Sequence, residues 1–319
     1  MEKTNAYIIQ TSGLSKTFKD VQAVKSLDLK VEKNSIFGFL GPNGAGKTTT
    51  MKILLGLIQP TAGTGRIFEH DILKDNIKIR NRIGYLPQDI NFYKYMTARE
   101  ILNFTMKFFF SGPKEVIKTR VEEMLDLVGL EEKADRATKT LSGGELQRLG
   151  IAQAQINSPE LLILDEPAAS LDPIGRKDML EIMEKLREKC TIFYSTHILA
   201  DVQRVSDHVA ILNEGELVMQ GSITDILSGN NDIVYEVTVK GDVATLEAKL
   251  YQIAWVSSIK TIHQNGTSRW EIQVSDKDAA ERELLSTIYA DGSVKVVDFG
   301  QKQMDLEDAF MSIIAGGEQ

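Results

Sequence analysis

The sequence predicts an α/β fold that carries a smaller α+β domain at its C-terminal end, and three observations point there. Short apolar runs alternate with amphipathic segments over the first 230 residues, as expected of strands covered by helices. The apolar run Ser35–Leu40 passes through a glycine-rich turn into a helical segment, a strand–loop–helix order. Past residue 233 the predicted elements run β-α-β-β-α-β, the order of a ferredoxin-like split βαβ sheet.

Taken in order, Ser35–Leu40 reads as a buried strand and the helix after it extends to about Leu57. Two helical segments follow, Thr97–Phe110 and Lys114–Val128. Thr97 and Glu100 have the spacing of a capping box, and Gly129 stands where a helix C-cap belongs. Leu161–Leu164 is a second buried strand that runs directly into Asp165 and Glu166, and Thr191–Ser195 is a third with polar residues at its end. The domain boundary falls after residue 227, with a linker over 228–233 that contains Ser228-Gly229-Asn230-Asn231. In the domain 234–319, Val234–Val239, Val256–His263, Arg269–Val274 and Val294–Asp298 read as strands. Val243–Ile253 and Lys277–Tyr289 read as helices, Asn265-Gly266 as a turn, and Leu306–Ile314 as a final amphipathic helix.

Composition narrows the function. The 319 residues carry 45 acidic and 37 basic side chains, a net charge of −8, and 42% are hydrophobic. Such a chain can fill a sizeable core and lacks the surplus of Lys and Arg that holds nucleic acid by its phosphates, so no direct nucleic-acid binding is expected. The acidity is uneven: residues 231–319 hold 15 acidic and 8 basic side chains, a net of −7, whereas residues 1–230 are nearly neutral. Cys190 is the single cysteine, which excludes an intramolecular disulfide and a cysteine-cluster metal site. No secretory h-region follows Met1–Gln10 and no apolar run reaches the length of a membrane span, so a cytoplasmic location is expected.

The chemistry-bearing residues lie in the first domain. Gly41, Pro42, Asn43, Gly44, Ala45, Gly46, Lys47 and Thr48 fit G-x-x-x-x-G-K-[ST], with Thr49 next in the helix. Backbone N–H groups of such a loop cradle phosphates, and the helix N-terminus adds positive potential. Lys47 would reach the β- and γ-phosphates and the Thr48 hydroxyl would ligate Mg²⁺. The apolar strand ending in Asp165 and Glu166 places two carboxylates at a sheet's C-terminal edge. Asp165 would hold Mg²⁺, and Glu166 would polarise the water that attacks the γ-phosphate.

Leu141-Ser142-Gly143-Gly144-Glu145, upstream of the acidic strand, resembles the signature of ATP-binding cassette (ABC) ATPases. The resemblance covers about residues 4–227 and implies a P-loop NTPase core of ABC ATPase type with a helical signature subdomain. It implies that Gln88 touches Mg²⁺ and senses the γ-phosphate, that Ser170-Leu171-Asp172 is the D-loop, and that His197, in Ser195-Thr196-His197, is the switch histidine. Phe18 lies where the family commonly stacks a tyrosine on adenine. The segment Asp305–Phe310 looks like an element near the end of ATPases of ABC-2-type exporters.

With ATP and Mg²⁺ as cofactors, Glu166, His197 and Lys47 would carry the catalysis. Ser142, Gly143, Gly144 and Glu145 would cap the nucleotide held by a second subunit, either another copy placed head to tail or a paralogous ATPase. A separately encoded membrane subunit would dock where Asn91, Phe92, Tyr93, Tyr95 and Met96 line a groove, and would hold the chain on the cytoplasmic face of the membrane. The alternative is a soluble ABC ATPase that remodels a non-membrane machine. A single cassette without a long heptad insertion or a basic arm argues against it.

Overall fold

Residues 6–228, 233–264, 266–302 and 306–307 are described in the computed structural model, and the chain divides into two units, Met1–Thr224 and Asp225–Gln319. The first unit opens with β1 (Tyr7–Phe18), β2 (Val21–Leu27), β3 (Lys30–Glu32), β4 (Ile36–Leu40), α1 (Lys47–Leu54), β5 (Ala62–Ile67) and β6 (His70–Asp71). It continues with α2 (Asn76–Arg80), β7 (Ile83–Leu86), α3 (Ala98–Met106), α4 (Lys114–Leu127), α5 (Gly143–Gln155) and β8 (Leu161–Asp165). Next come α6 (Pro173–Leu186), β9 (Thr191–Thr196), α7 (Leu199–Val205), β10 (His208–Asn213) and β11 (Glu216–Ser222). Helix α8 (Ile223–Ser228) runs across the division between the units.

The central sheet has the order β11-β10-β4-β9-β8-β7. Strands β10, β4, β9, β8 and β7 are parallel, and only β11 runs antiparallel. Every residue of β4, β8 and β9 is buried, as parallel strands covered on both faces require. Their C-terminal ends lie side by side, which brings the phosphate loop after β4, the carboxylates after β8 and His197 after β9 to one edge.

A second, antiparallel sheet of order β2-β1-β5-β6, with β3 also on β1, was not foreseen from the sequence. Strand β1 breaks register between Leu14 and Lys16 and again between Lys16 and Thr17. Gly13 sits within it at φ +58. Such bulges erase the period-2 pattern by which strands are read.

Helix ends also differ from expectation. Helix α1 stops at Leu54 rather than Leu57, because Gly56 turns left-handed at φ +64. Helix α3 stops at Met106, short of Phe110. Its start is capped as expected: Thr97 accepts from the Glu100 N–H while Glu100 accepts from the Thr97 N–H. Gly129 closes α4 at φ +63, and the Leu130 N–H reaches back to the Leu125 carbonyl at 2.9 Å, a Schellman closure.

The second unit contains β12 (Ile233–Gly241), α9 (Ala244–Leu250), β13 (Val256–Gln264), β14 (Thr267–Val274), α10 (Lys277–Asp291) and β15 (Val294–Gln301). All pairings in its sheet are antiparallel, in the order β13-β14-β12-β15. Alternate residues Tyr235, Val237 and Val239 of β12 and Trp270, Ile272 and Val274 of β14 join Leu246 and Leu250 of α9 and Ala280, Leu284 and Ile288 of α10 in one core. Both helices therefore cover the same face. The expected linker residues 229–232 and turn residue Asn265 lie outside the described residues, as does the final helix Leu306–Ile314 apart from Leu306 and Glu307.

Candidate functional site

The phosphate loop is held by its own backbone. The Gly41 N–H donates to the Thr196 carbonyl at 3.2 Å, joining the loop's first residue to the end of β9. Gly46 caps α1 at φ +100, and a Cβ there would come within 2.3 Å of the Ala23 carbonyl oxygen, so conformation and space both demand glycine. No acidic residue occupies the first turn of α1, leaving its N–H groups and positive end for an anion. A cavity of about 350 Å³ opens there, lined by Ala23, Asn43, Gly44, Ala45, Gly46, Lys47, Thr48, Thr49, Gln88 and Glu166. Gly41 and Pro42 are not in its wall; their carbonyls accept from Lys47 Nζ at 2.6 and 3.2 Å.

Beside the loop lies a network of buried charge. Asp165 ends β8, and its Oδ1 accepts from Thr48 Oγ1 at 3.1 Å and from Ser195 Oγ at 2.6 Å. Glu166 adopts φ +50, a left-handed conformation that costs a non-glycine residue about 1–3 kcal/mol and recurs at functional sites. Its carboxylate is divided between two partners: Lys47 Nζ lies 3.2 Å from Oε1 and His197 Nδ1 lies 3.0 Å from Oε2. The Lys47 and Glu166 side chains are each 6% exposed, a depth at which an ion must be paired. Burial and the Asp165 charge push the neighbouring Tyr85 phenol up to about 12, which keeps it neutral.

The remaining predicted residues lie elsewhere in the first unit. Ser142 caps α5, which begins at Gly143. The Glu145 carboxylate accepts the Ser142 N–H at 2.8 Å and pairs with Lys133, whose bond to it holds the carboxyl below its usual range. A Cβ added at Gly143 would face open space, and one at Gly144 would lie 3.7 Å from Leu171 of the expected D-loop. Asp172 caps α6 by accepting the Gly175 N–H. The Phe18 ring is 46% exposed, so it is no core residue, and the Lys16 ammonium lies 4.8 Å from its centroid. Tyr93 and Tyr95 are exposed too, and Tyr93 packs edge-on against Phe104.

Sequence reasoning missed Ser195 as more than a strand end. It also missed the pair between Arg176 and the buried Asp201, at 2.6 Å, which ties α6 to α7. The available signal for Ser195 was a hydroxyl ending an apolar strand two residues before His197. Its partners became visible only once β8 and β9 were paired.

A strand–loop–helix phosphate cradle beside paired carboxylates defines a nucleoside triphosphatase of the P-loop class. Residues 24–169 match the family model of the ABC transporter. The chain is 37% identical over 308 residues to the uncharacterized ABC transporter ATP-binding protein YxlF of Bacillus subtilis, covering 96% of this chain and 99% of that one. It is 34% identical over 313 residues to the bacitracin transport ATP-binding protein BcrA of Bacillus licheniformis, covering 97% and 98%. Among solved structures, a dimeric post-hydrolysis state of the ATP-binding cassette MJ0796 bound to ADP and Pi superposes with a TM-score of 0.62. It is 27% identical and covers 67% of this chain and 98% of that one. The chain belongs to the ABC transporter ATP-binding proteins. It is an ATP-binding and ATP-hydrolysing subunit of a transporter, which sets aside the soluble remodelling machine. Among the described residues, no helix is long and apolar enough to cross a membrane.

Proposed function

We propose that the chain is the ATPase motor of an exporter, working in two composite sites formed head to tail with a second ATPase chain. The observation that carries this reading is the Glu166 carboxylate, held between Lys47 and His197 at the wall of the loop cavity. A γ-phosphate entering the loop competes with Glu166 for both donors. Lys47 then turns to the phosphates and His197 to the γ-phosphate edge, leaving Glu166 free to accept a proton from water. The water oxygen bonds to the γ-phosphorus, the bond to ADP breaks, and the proton rests on Glu166.

The residues present fit Mg²⁺. The Thr48 hydroxyl and the Asp165 carboxylate are hard oxygen donors 3.1 Å apart, and Gln88 stands at the same wall. When bound, the ion supplies charge neutralisation on the β- and γ-phosphate oxygens.

Ser142, Gly143 and Gly144 sit at the N-terminus of α5 but do not line the cavity of their own chain. That separation supports a role toward the nucleotide of a second subunit. The exposed Phe18 ring is available to stack on adenine. The near full-length match to BcrA extends over the second unit, which supports an exporter with an accessory C-terminal domain of regulatory or dimer-pairing function. A separately encoded membrane subunit would seat at the groove whose wall includes Asn91, Phe92 and Tyr93, as expected, with Pro87, Ile90 and Phe104 in place of the expected Tyr95 and Met96, and would hold this chain at the cytoplasmic face. The test is co-purification: the native chain should leave cell membranes together with a polytopic protein, and Tyr93→Ser with Phe104→Ser should release it. Recovery of the whole wild-type pool without any membrane protein would contradict the reading.

A further inference from the structure

We infer that Ser195 is a positioning residue for hydrolysis, an inference that rests on the roles proposed above for Asp165 and Glu166. Its side chain is fully buried and makes two bonds. Ser195 Oγ donates to Asp165 Oδ1 at 2.6 Å and accepts the Glu166 N–H at 2.9 Å.

The need for that hydroxyl follows from the backbone. Strands β8 and β9 run parallel in register to the pair Asp165↔Ser195, the last of their ladder. One residue later the ladder has ended, and the N–H of the buried Glu166, itself at φ +50, points to the Ser195 side chain and not to a strand carbonyl. An N–H orphaned there requires another acceptor. A hydroxyl has one proton and two lone pairs. With its proton committed to Asp165, Ser195 presents a lone pair to the Glu166 N–H. Thr48 Oγ1 donates to the same Asp165 oxygen at 3.1 Å.

One atom thus fixes the rotamer of the carboxylate proposed to hold Mg²⁺ and the strained backbone of the proposed base. The phosphate loop is built from Gly41–Thr49 backbone, and its tie to β9 runs through the Thr196 carbonyl and not through the Ser195 hydroxyl. Removing the hydroxyl should therefore misplace Glu166 and Asp165 while leaving the loop able to bind nucleotide.

The experiment compares wild type, Ser195→Ala and Ser195→Thr in steady-state ATP hydrolysis, with ADP affinity measured separately in EDTA. In Ser195→Ala kcat should fall by about 10- to 100-fold, while ADP affinity without Mg²⁺ stays within about threefold of wild type. Ser195→Thr, which restores the hydroxyl, should recover most of kcat. Wild-type kcat in Ser195→Ala would overturn the inference. So would a Ser195→Thr variant that binds ADP normally yet is as slow as Ser195→Ala. ADP binding lost together with turnover would assign Ser195 to packing and also overturn it. Glu166→Gln is assayed in parallel. Full turnover there defeats the reading beneath the inference, whereas an inactive Glu166→Gln beside a fully active Ser195→Ala defeats the Ser195 inference alone.

Discussion

His197 Nδ1 lies 3.0 Å from Glu166 Oε2, and the other carboxylate oxygen faces Lys47 Nζ at 3.2 Å. The acid that its place at a strand end beside the phosphate loop marks for catalysis is thus clasped by the two residues expected to contact phosphate. In the proposed mechanism Lys47 cannot serve Glu166 and a γ-phosphate fully at once, so substrate binding would be coupled to release of the proposed base.

Glu166→Gln keeps the shape and removes the proton acceptor. Phosphate release should fall by about 10²- to 10⁴-fold, with ATP still bound. His197→Ala should also slow release, because it removes a donor on the γ-phosphate side. A phosphate-release assay beside an ATP-binding titration checks both variants. Unchanged release in Glu166→Gln would remove Glu166 from the mechanism.

Lys47→Met should abolish tight nucleotide binding and leave Glu166 buried beside His197 alone. Breaking such a buried pair costs about 3–5 kcal/mol when no other partner remains, so a smaller but clear fall in Tm is expected. Adding Glu166→Gln should restore much of the Tm and none of the binding. Thermal melts and nucleotide titration on the two single variants and the double variant provide the measurement.

Two loop glycines separate strain from collision. Gly44 sits at φ +85, and a Cβ added there would meet nothing within 4 Å, whereas Gly46 at φ +100 would drive a Cβ to 2.3 Å from the Ala23 carbonyl. Gly46→Ala should therefore lose nucleotide affinity by at least about tenfold, and Gly44→Ala by distinctly less. Equal losses would show that conformational strain alone governs the loop.

Chain-local features were legible in the sequence. Gly41–Thr48, Asp165-Glu166, Ser142–Glu145 and His197 each sit at a strand or helix end, so their chemistry reads off a short window. The Thr97 capping box and the β-α-β-β-α-β order of the second unit were legible for the same reason. The antiparallel sheet around β1 was not, because its bulges and Gly13 break alternation. The clasp on Glu166 was hidden as well. It requires the non-sequential neighbours β4, β9 and β8 to be known, and no local pattern encodes that order.

Cys190 is buried, and burial pushes its thiol up to about 12. Burial disfavours the thiolate, so the folded protein holds the proton more tightly than the unfolded chain. The stability linked to this thiol is therefore intact at neutral pH and lost as pH rises from the ordinary thiol range toward about 12. At pH 8 iodoacetamide should leave Cys190 unmodified in the folded protein and label it fully in denaturant, as intact mass would report. Rapid labelling of the folded protein would contradict the burial.

Composite active sites are the central claim, and two inactive variants test it. Lys47→Met disables the loop and leaves the signature, while Ser142→Arg, at an exposed helix cap, disables the signature and leaves the loop. Each alone should hydrolyse almost no ATP. Mixed in equal amounts, head-to-tail pairs join one intact loop to one intact signature, so turnover should return to about a quarter of wild type. A mixture as inactive as its components, with mixed dimers verified by differently tagged chains, would contradict the composite site.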